Sequence, residues 1–443
     1  MKKIIMLVSL CVLPFTYAAA EGYQVNSLSA KQSGMGHVGA AMKLGAESMH
    51  FNPAGLGFLD KTIDLSAGVS GVFSSAKFEN GTYNHEADND PSTPIYFYGA
   101  FRIYDFLSAG VSFTTPYGSA MNWGKNWQGA GLIQDIALKS YSIQPTLSWK
   151  ITDRLSIGAG AMIMFGDFEL SRALIPAGGL ESLRPLTAYA PQIESILDKY
   201  KDTPAASATL SGDAGVKVGF NVGAMFDITE QFTLGVSYRS KVGMKVNEGA
   251  AEMSYSNEAE LKGLLEMVNP FLPEESRISI PALDQGTFEA VLPLPSNFNV
   301  GLTYKPNDRW LVSGEVQFVG WSAYDELNVE FTQGAIKGYS INAKKDYVNT
   351  RIYRLGGQFA ATERFDLRLG AYYDESPVKD NFLNPETPSM DKLGLTAGMS
   401  FRPLQSLSVD LALAYVTGFG RDGSYPLNLV QSFSGHYDVS AFT

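Results

Sequence analysis

Side chains that could make or break bonds are few and scattered in this chain. The four histidines fall at His37, His50, His85 and His436, and no pair has the spacing of a metal site. No metal and no cofactor is therefore expected. A Ser-His-acid arrangement on neighbouring strands is not evident, so an outer-membrane lipid hydrolase stays an alternative only through a loop histidine reaching inward. Gly34 to Gly39 formally matches the dinucleotide fingerprint, but no strand precedes it, and the match is read as chance. The single cysteine, Cys11, lies in an apolar N-terminal stretch. The chain is expected not to be an enzyme.

Composition narrows the class. The 443 residues are 45% hydrophobic, 12% aromatic and 18% charged, with 44 glycines and a formal net charge of −11. A mean hydropathy of −0.04 and the lack of any later apolar run exclude a bundle of membrane helices, each of which needs about 20 apolar residues. Strands that are only half apolar leave a β-barrel open. An excess of 45 acidic over 34 basic residues speaks against nucleic acid as a partner. Lys2 and Lys3, the apolar run Ile4 to Phe15 and the small residues Ala18 to Ala20 read as a signal peptide over residues 1–20. The mature chain then starts at Glu21 and has no cysteine, so disulfide-stapled secreted folds are excluded.

From Ile63 onward apolar residues recur with period two. Phe232, Leu234, Val236 and Tyr238 share one face, and Thr233, Gly235, Ser237 and then Arg239 and Lys241 share the other. The polar turns Thr152 to Leu155, Thr229 to Phe232, Asn307 to Trp310 and Thr362 to Phe365 each lead at once into an aromatic residue or leucine, which suits a membrane interface. These read as periplasmic turns, with the long connectors outside the cell. The spacing predicts an all-β fold: a fourteen-stranded antiparallel transmembrane barrel over 61–443. A pair of secreted β-sandwiches would also alternate, but it does not account for the regular succession of short and long loops.

Two long extracellular loops, about 172–213 and 247–295, carry helical stripes. Ile193, Ile196 and Leu197 belong to the first, and Leu264, Leu265 and Val268 to the second, which Asn269 and Pro270 bend or end. The stripes either pack on each other or the rim, or leave an oily groove between them. Residues 21–60 are small and nearly uncharged, with only Lys31, Lys43 and Glu47 beyond Glu21 and Asp60. They suit a plug inside the lumen, or else a periplasmic tail.

Gly22 to Asn26, the glycine-rich run to Gly39, and Asn52, Pro53, Ala54 and Gly55 resemble the N-terminal hatch of the FadL family, outer-membrane transporters of long-chain fatty acids and other hydrophobic compounds. Leu294 to Leu302 and Trp321 to Leu327 are similar to that family's central strands. The resemblance spans essentially the whole mature chain. It implies fourteen strands, an internal hatch and passive uptake across the outer membrane of a Gram-negative bacterium, by a monomer surrounded by outer-membrane lipid. The ligand would be a long-chain fatty acid, or alternatively an aromatic hydrocarbon. Family members end in a strand closed by an aromatic residue for the barrel-insertion machinery, whereas here Phe442 is penultimate.

Mechanistically the resemblance implies three stations. Capture falls to a loop groove walled by Ile193, Ile196, Leu197, Leu264, Leu265 and Val268. A ligand carboxylate meets Arg172, similar in placement to a basic ligand residue of the family, with Arg239, Lys241 and Arg354 as further inward candidates, each of which could instead join a structural network with Glu315 or Asp410. Lateral exit falls at a kinked third strand, Thr114, Thr115, Pro116, Tyr117 and Gly118, because Pro116 cannot donate to a ladder. Ending the strand is that proline's other possible role. The hatch, through Gly22, Tyr23, Asn52, Pro53 and Ala54, is expected to touch the pocket and the kink.

Overall fold

Period-two alternation leaves each strand with one oily face, and in this protein that face points outward. The computed structural model describes residues 23–272, 286–334, 337–338, 340–427 and 431–443. The signal-peptide reading and Gly22 lie outside those residues. Along Phe365–Asp374, Leu367 and Leu369 are 50% and 69% exposed, while Asp366 and Arg368 are 3% and 4% exposed. A surface this apolar is stable against lipid tails and not against water. Among the described residues, no helix is long and apolar enough to cross a membrane.

The strands form one antiparallel sheet of 22 segments. Ile63–Val69 pairs with Ile95–Tyr104, and its continuation Phe73–Asn80 pairs with Ser432–Phe442, which returns to Leu407–Gly418. The sheet thereby closes into a barrel. Lipid offers no partner to a free N–H or C=O, and closure supplies one from the neighbouring strand.

The short turns are fixed by side chains that cap their own backbone. Thr229 Oγ1 accepts from the N–H groups of Gln231 and Phe232 at 3.2 and 3.1 Å, and Thr362 Oγ1 does the same for Arg364 and Phe365. Asn307 Oδ1 serves Arg309 and Trp310 at 2.9 and 3.0 Å. The aromatic residues that follow pair across strands, Phe232 with Tyr304, Trp310 with Phe359 and Phe365 with Phe401, at 4.5 to 4.8 Å. A second ring of pairs, including Tyr141 with Phe165 and Phe220 with Tyr238, lies higher. On Asp135–Lys150, Tyr141 and Trp149 are separated by about 27 Å of strand, or roughly 21 Å of height at a 40° tilt. That is close to the apolar band of an outer-membrane barrel.

The wall continues well above the upper ring. Leu155–Ile175 and Ala206–Asp227 stay paired up to Ile175 opposite Ala206, so the first long loop is confined to 176–205, shorter than the alternation alone predicts. Val242–Tyr255 likewise runs on before the helix Glu258–Val268, whose N–H at Glu260 is capped by Asn257 and which ends at Asn269. Continued ladder pairing satisfies these backbones where no apolar face marks them in sequence.

The N-terminal segment lies inside the barrel. Its backbone rests on wall glycines in neighbouring strands: Gly158 opposite Gly223, Gly235 opposite Gly301, and Gly356 opposite Gly370. A Cβ at Gly235 would come within 1.9 Å of Ala40 O, one at Gly356 within 2.1 Å of Met35 O, and one at Gly223 within 2.0 Å of Asn52 Oδ1. Only glycine admits so close an approach of a second backbone. Asn52 Oδ1 also accepts from Ala54 N, and its Nδ2 donates to Ala40 O at 2.6 Å and to the wall at Ala224 O. Asn52, Pro53 and Ala54 therefore seat on Gly158 and Gly223, not at the third-strand kink as expected; the kink is met by Tyr23 and Val25.

Adding a methyl group at Gly235 or Gly356 should destabilise the barrel by about 1–3 kcal/mol, the usual range for overpacking. Gly357, where a Cβ would come no closer than 3.8 Å to Leu311 O, is the control. The temperature at which each folded barrel loses its faster gel mobility should fall for G235A and G356A and hold for G357A.

Candidate ligand path

The barrel wall is interrupted where Pro116 stands. Leu107–Thr114 pairs with Ile95–Tyr104 on one side and with Asp135–Lys150 on the other. After the break the strand resumes as Gly118–Asn122, and pairs only with Asp135–Lys150. Thr115 Oγ1 closes the lower end of the break by bonding both Ile95 N and Ile95 O. The upper end is closed by Asp88 N to Asn122 O at 2.8 Å and Asn122 N to Asn89 Oδ1 at 2.7 Å.

Within the break, the N-terminal segment takes the place of the missing neighbour. Val25 N donates to Pro116 O at 2.9 Å, Gly118 N donates to Tyr23 O at 2.8 Å, and Gln24 and Tyr117 form a bridge pair. Beside it lies a cavity of about 690 Å³, bounded by Thr93, Pro94 and Ile95 on one side, Thr115 and Ser119 on the other, and Gln24 to Ser27 within. Thr114 to Gly118 thus span the ladder break, and Tyr23 sits against it.

Above, Tyr23 enters an aromatic cage. Its ring lies 4.9 Å from Trp321 in edge-on contact and 6.0 Å from Tyr324, with Tyr117 at 6.3 Å. The Tyr23 hydroxyl donates to Pro293 O at 2.5 Å. Lys345, 1% exposed, pairs with Glu386 and lies 5.9 Å from the Tyr324 ring. Arg172, half-buried opposite Ala208 near the end of the strand pair, lies in the field of the same Glu386 and of Tyr425. Spacing did not bring Lys345 forward; the doubled Lys344 and Lys345 at a strand end is the only mark it leaves in sequence.

The other expected cations separate. Arg239 faces the lumen and donates to His50 O. Arg354 Nη1 is bonded to Glu315 at 3.0 Å, and Glu315 Oε2 accepts from Gly39 N and Ala40 N at 2.7 Å each. Arg354 therefore holds the N-terminal segment and is not free for a ligand. Lys241 is exposed on the outer face, because the strand breaks between Arg239 and Val242 and the alternation shifts there.

The loop stripes pack on each other. Ile193, Leu197, Leu264 and Val268 are 0–1% exposed in one cluster, with Ile196 partly buried against it, and Leu265 is 9% exposed. The expected groove is thus a closed core. Its outer edge shows Tyr189 and Phe271, stacked at 5.7 Å and 72% and 48% exposed. Lys199 Nζ and the Tyr200 hydroxyl bond Glu260 across the two loops at 2.6 and 2.8 Å.

A closed barrel with an apolar exterior, aromatic rings at two heights and described residues from 34 to 54 packed on inward wall glycines is an outer-membrane β-barrel of a Gram-negative bacterium. The chain belongs to the outer membrane protein transport family OMPP1/FadL/TodX, whose profile matches residues 11–428. It is 24% identical to the long-chain fatty acid transport protein of Escherichia coli K12 over 432 residues, covering 91% of this chain and 89% of that one. In fold it resembles a Pseudomonas aeruginosa FadL homologue, with a TM-score of 0.76 at 19% identity over 95% of this chain and 98% of the other. It also resembles the Pseudomonas putida toluene transporter TodX, with a TM-score of 0.68 at 17% identity over 96% and 99%.

The bonds from Lys199 and Tyr200 hold the Glu260 carboxyl below its ordinary value of 4.5. A carboxyl with a lowered folded value stabilises the loop contact fully above pH 4.5 and loses that effect as pH falls through the lowered value. Amide exchange in 176–205 and 258–272, corrected for intrinsic rate, should therefore rise below pH 4.5 in the native protein. In E260Q that acid step should be absent.

Proposed function

We propose that this barrel is a passive, non-enzymatic transporter of long-chain fatty acids, built from fourteen membrane spans around an N-terminal hatch. The 22 segments reduce to fourteen when those that follow one another across a bulge or kink, such as Ile63–Val69 and Phe73–Asn80, are counted as one span. Residues 23–59 are the hatch. The observation that carries the reading is the wall break at Pro116, completed by the hatch's own Tyr23 and Val25 and flanked by a cavity whose lining includes the exposed Ile95.

The ligand first meets the exposed Tyr189 and Phe271 on the loops, then enters the lumen tail among the aromatic residues. Arg172 and Lys345, both near Glu386, receive the carboxylate, since an anion at that depth needs a cation and a hydrocarbon does not. Withdrawal of Tyr23 from its cage would break the Val25 to Pro116 bond and open the wall toward lipid. The histidines have other work: His37 is held by Gln32, His85 by Trp123 O, and His436 lies between Asp422 and Asp438.

Uptake of aromatic hydrocarbons is the second reading, supported by the cage of Tyr23, Tyr117, Trp321, Tyr324 and Tyr347. Binding of radiolabelled oleate, octadecane and toluene to the purified barrel separates the two. The fatty-acid reading expects saturable oleate binding that weakens about tenfold or more in R172A, the scale of one charge-assisted hydrogen bond. Tight toluene or octadecane binding with no effect of R172A would transfer the assignment to neutral hydrocarbons.

A further inference from the structure

Connecting segments normally run over a protein's surface, where water satisfies their backbone groups. The connector 375–391, between Phe365–Asp374 and Lys392–Leu404, does the opposite. It is irregular apart from the short turn Asp380–Phe382, and only Lys379, Asp380 and Asn381 in it are exposed. Leu383 to Pro385 and Pro388 to Met390 are buried. The two ends of the connector are pinned to the wall: Asp391 accepts from Ser376 N at 2.8 Å and from the Tyr373 hydroxyl at 2.5 Å, and Arg421 donates to Val378 O at 2.7 Å.

The inner turn, Asn384 to Pro388, is held by three side chains from elsewhere. Trp123 Nε1 donates to Pro385 O at 2.9 Å, the Tyr347 hydroxyl and Thr387 Oγ1 bond each other at 2.8 Å, and Lys345 Nζ pairs with Glu386. Tyr347 lies 5.1 Å from Tyr324 and 6.0 Å from Trp321, the rings that hold Tyr23. On the other side, Thr387, Pro388 and Ser389 line the cavity of about 690 Å³ beside the wall break, together with Gln24 and Tyr117. A cation as deeply placed as Lys345, 1% exposed, needs a counter-charge. Glu386 supplies it, and Arg172 lies in the field of the same carboxylate. The two cations assigned to the ligand are therefore already served by a carboxylate of this chain.

We propose that Glu386 is an internal stand-in for the ligand's carboxylate, and that a long-chain acid displaces it and so releases the inner turn from the ligand path. The room for the incoming head group is the room that the Glu386 carboxylate fills. One carboxylate replaces another on Lys345, so the charge buried there is unchanged and Glu386 passes to water. Its departure carries Pro385 and Thr387 away from Trp123 and Tyr347, and draws Thr387 to Ser389 out of the cavity. Tyr347 then loses the bond that fixes it beside the rings on which Tyr23 rests. A hydrocarbon or an alcohol of the same length has no charge to exchange and leaves the turn in place. The exchange rests on the fatty-acid reading, and it adds how binding of the head group at Arg172 and Lys345 loosens the closure at Tyr23.

The test titrates radiolabelled oleate, and oleyl alcohol as the same chain with a neutral head, against the full-length barrel and against E386Q, which keeps the side chain's shape and removes its charge. Loss of the internal competitor should tighten oleate binding about tenfold or more, the scale of one charge-assisted hydrogen bond, and leave oleyl alcohol binding unchanged. A Glu386 with a purely structural role would give no change or the opposite sign, because its loss strips Lys345 of its partner. Amide exchange over 383–389 in the wild-type barrel should rise when oleate is bound and not when oleyl alcohol is. That second measurement needs no variant, and it decides alone should E386Q lack the heat-dependent gel mobility of a folded barrel. Oleate affinity in folded E386Q equal to or below that of wild type, or exchange over 383–389 that oleate leaves unchanged, overturns the stand-in while the fatty-acid reading stands. Failure of both wild type and E386Q to bind oleate overturns both.

Discussion

In a bilayer core an unpaired backbone N–H or C=O has no water to turn to, and the whole architecture follows from meeting that demand. Closing the sheet from Ser432–Phe442 onto Phe73–Asn80 meets it at the seam. Where Pro116 breaks the ladder, the partners are Val25 and Tyr23 of the same chain. The N-terminal segment and the wall are therefore one hydrogen-bonded system at this point.

The N-terminal segment is held unequally along its length. From Gly34 to Pro53 its backbone sits against wall glycines so closely that a single Cβ would meet it at 1.9–3.2 Å, and Glu315 and Asn52 add bonds from side chains. Tyr23 to Ser27 is held by the ladder bonds at the kink, the phenol bond to Pro293 and the bond from Ser70 Oγ to Ser27 O. Tyr23 is further held by its ring contacts with Trp321 and Tyr324. Rearrangement confined to the first five described residues breaks fewer contacts than withdrawal of the whole segment. The same unequal hold explains why Arg354 and Asn52, polar and inward, are fixtures of the seat.

Much of this was legible in the residues. Alternation at Phe365–Asp374 gave the inside and outside, the Thr and Asn turns gave the aromatic ring at one interface, and Pro116 gave the break, because each is a local rule with a short reach. What failed depended on neighbours far along the chain. The stripes at Ile193 and Leu264 are apolar whether they line a groove or cover each other, and only their packing decides. Lys241 moved to the outer face through one irregular step after Arg239, which period-two counting cannot register. The bond from Tyr23 to the kink joins residues nearly a hundred positions apart, and Lys345 acquires its place only through Glu386 and Tyr324.

The central claim is that the hatch end and the kinked strand form one closure over a sideways exit. The Gln24 and Tyr117 bridge pair brings two Cα atoms into the range a disulfide spans, and the mature chain as read from sequence has no cysteine to interfere. Oleate uptake by proteoliposomes containing the Q24C/Y117C barrel, measured oxidised and then reduced, tests the claim directly. The account predicts that the oxidised barrel binds oleate but does not pass it, and that reductant restores uptake. Uptake at equal rates in the two states would contradict it.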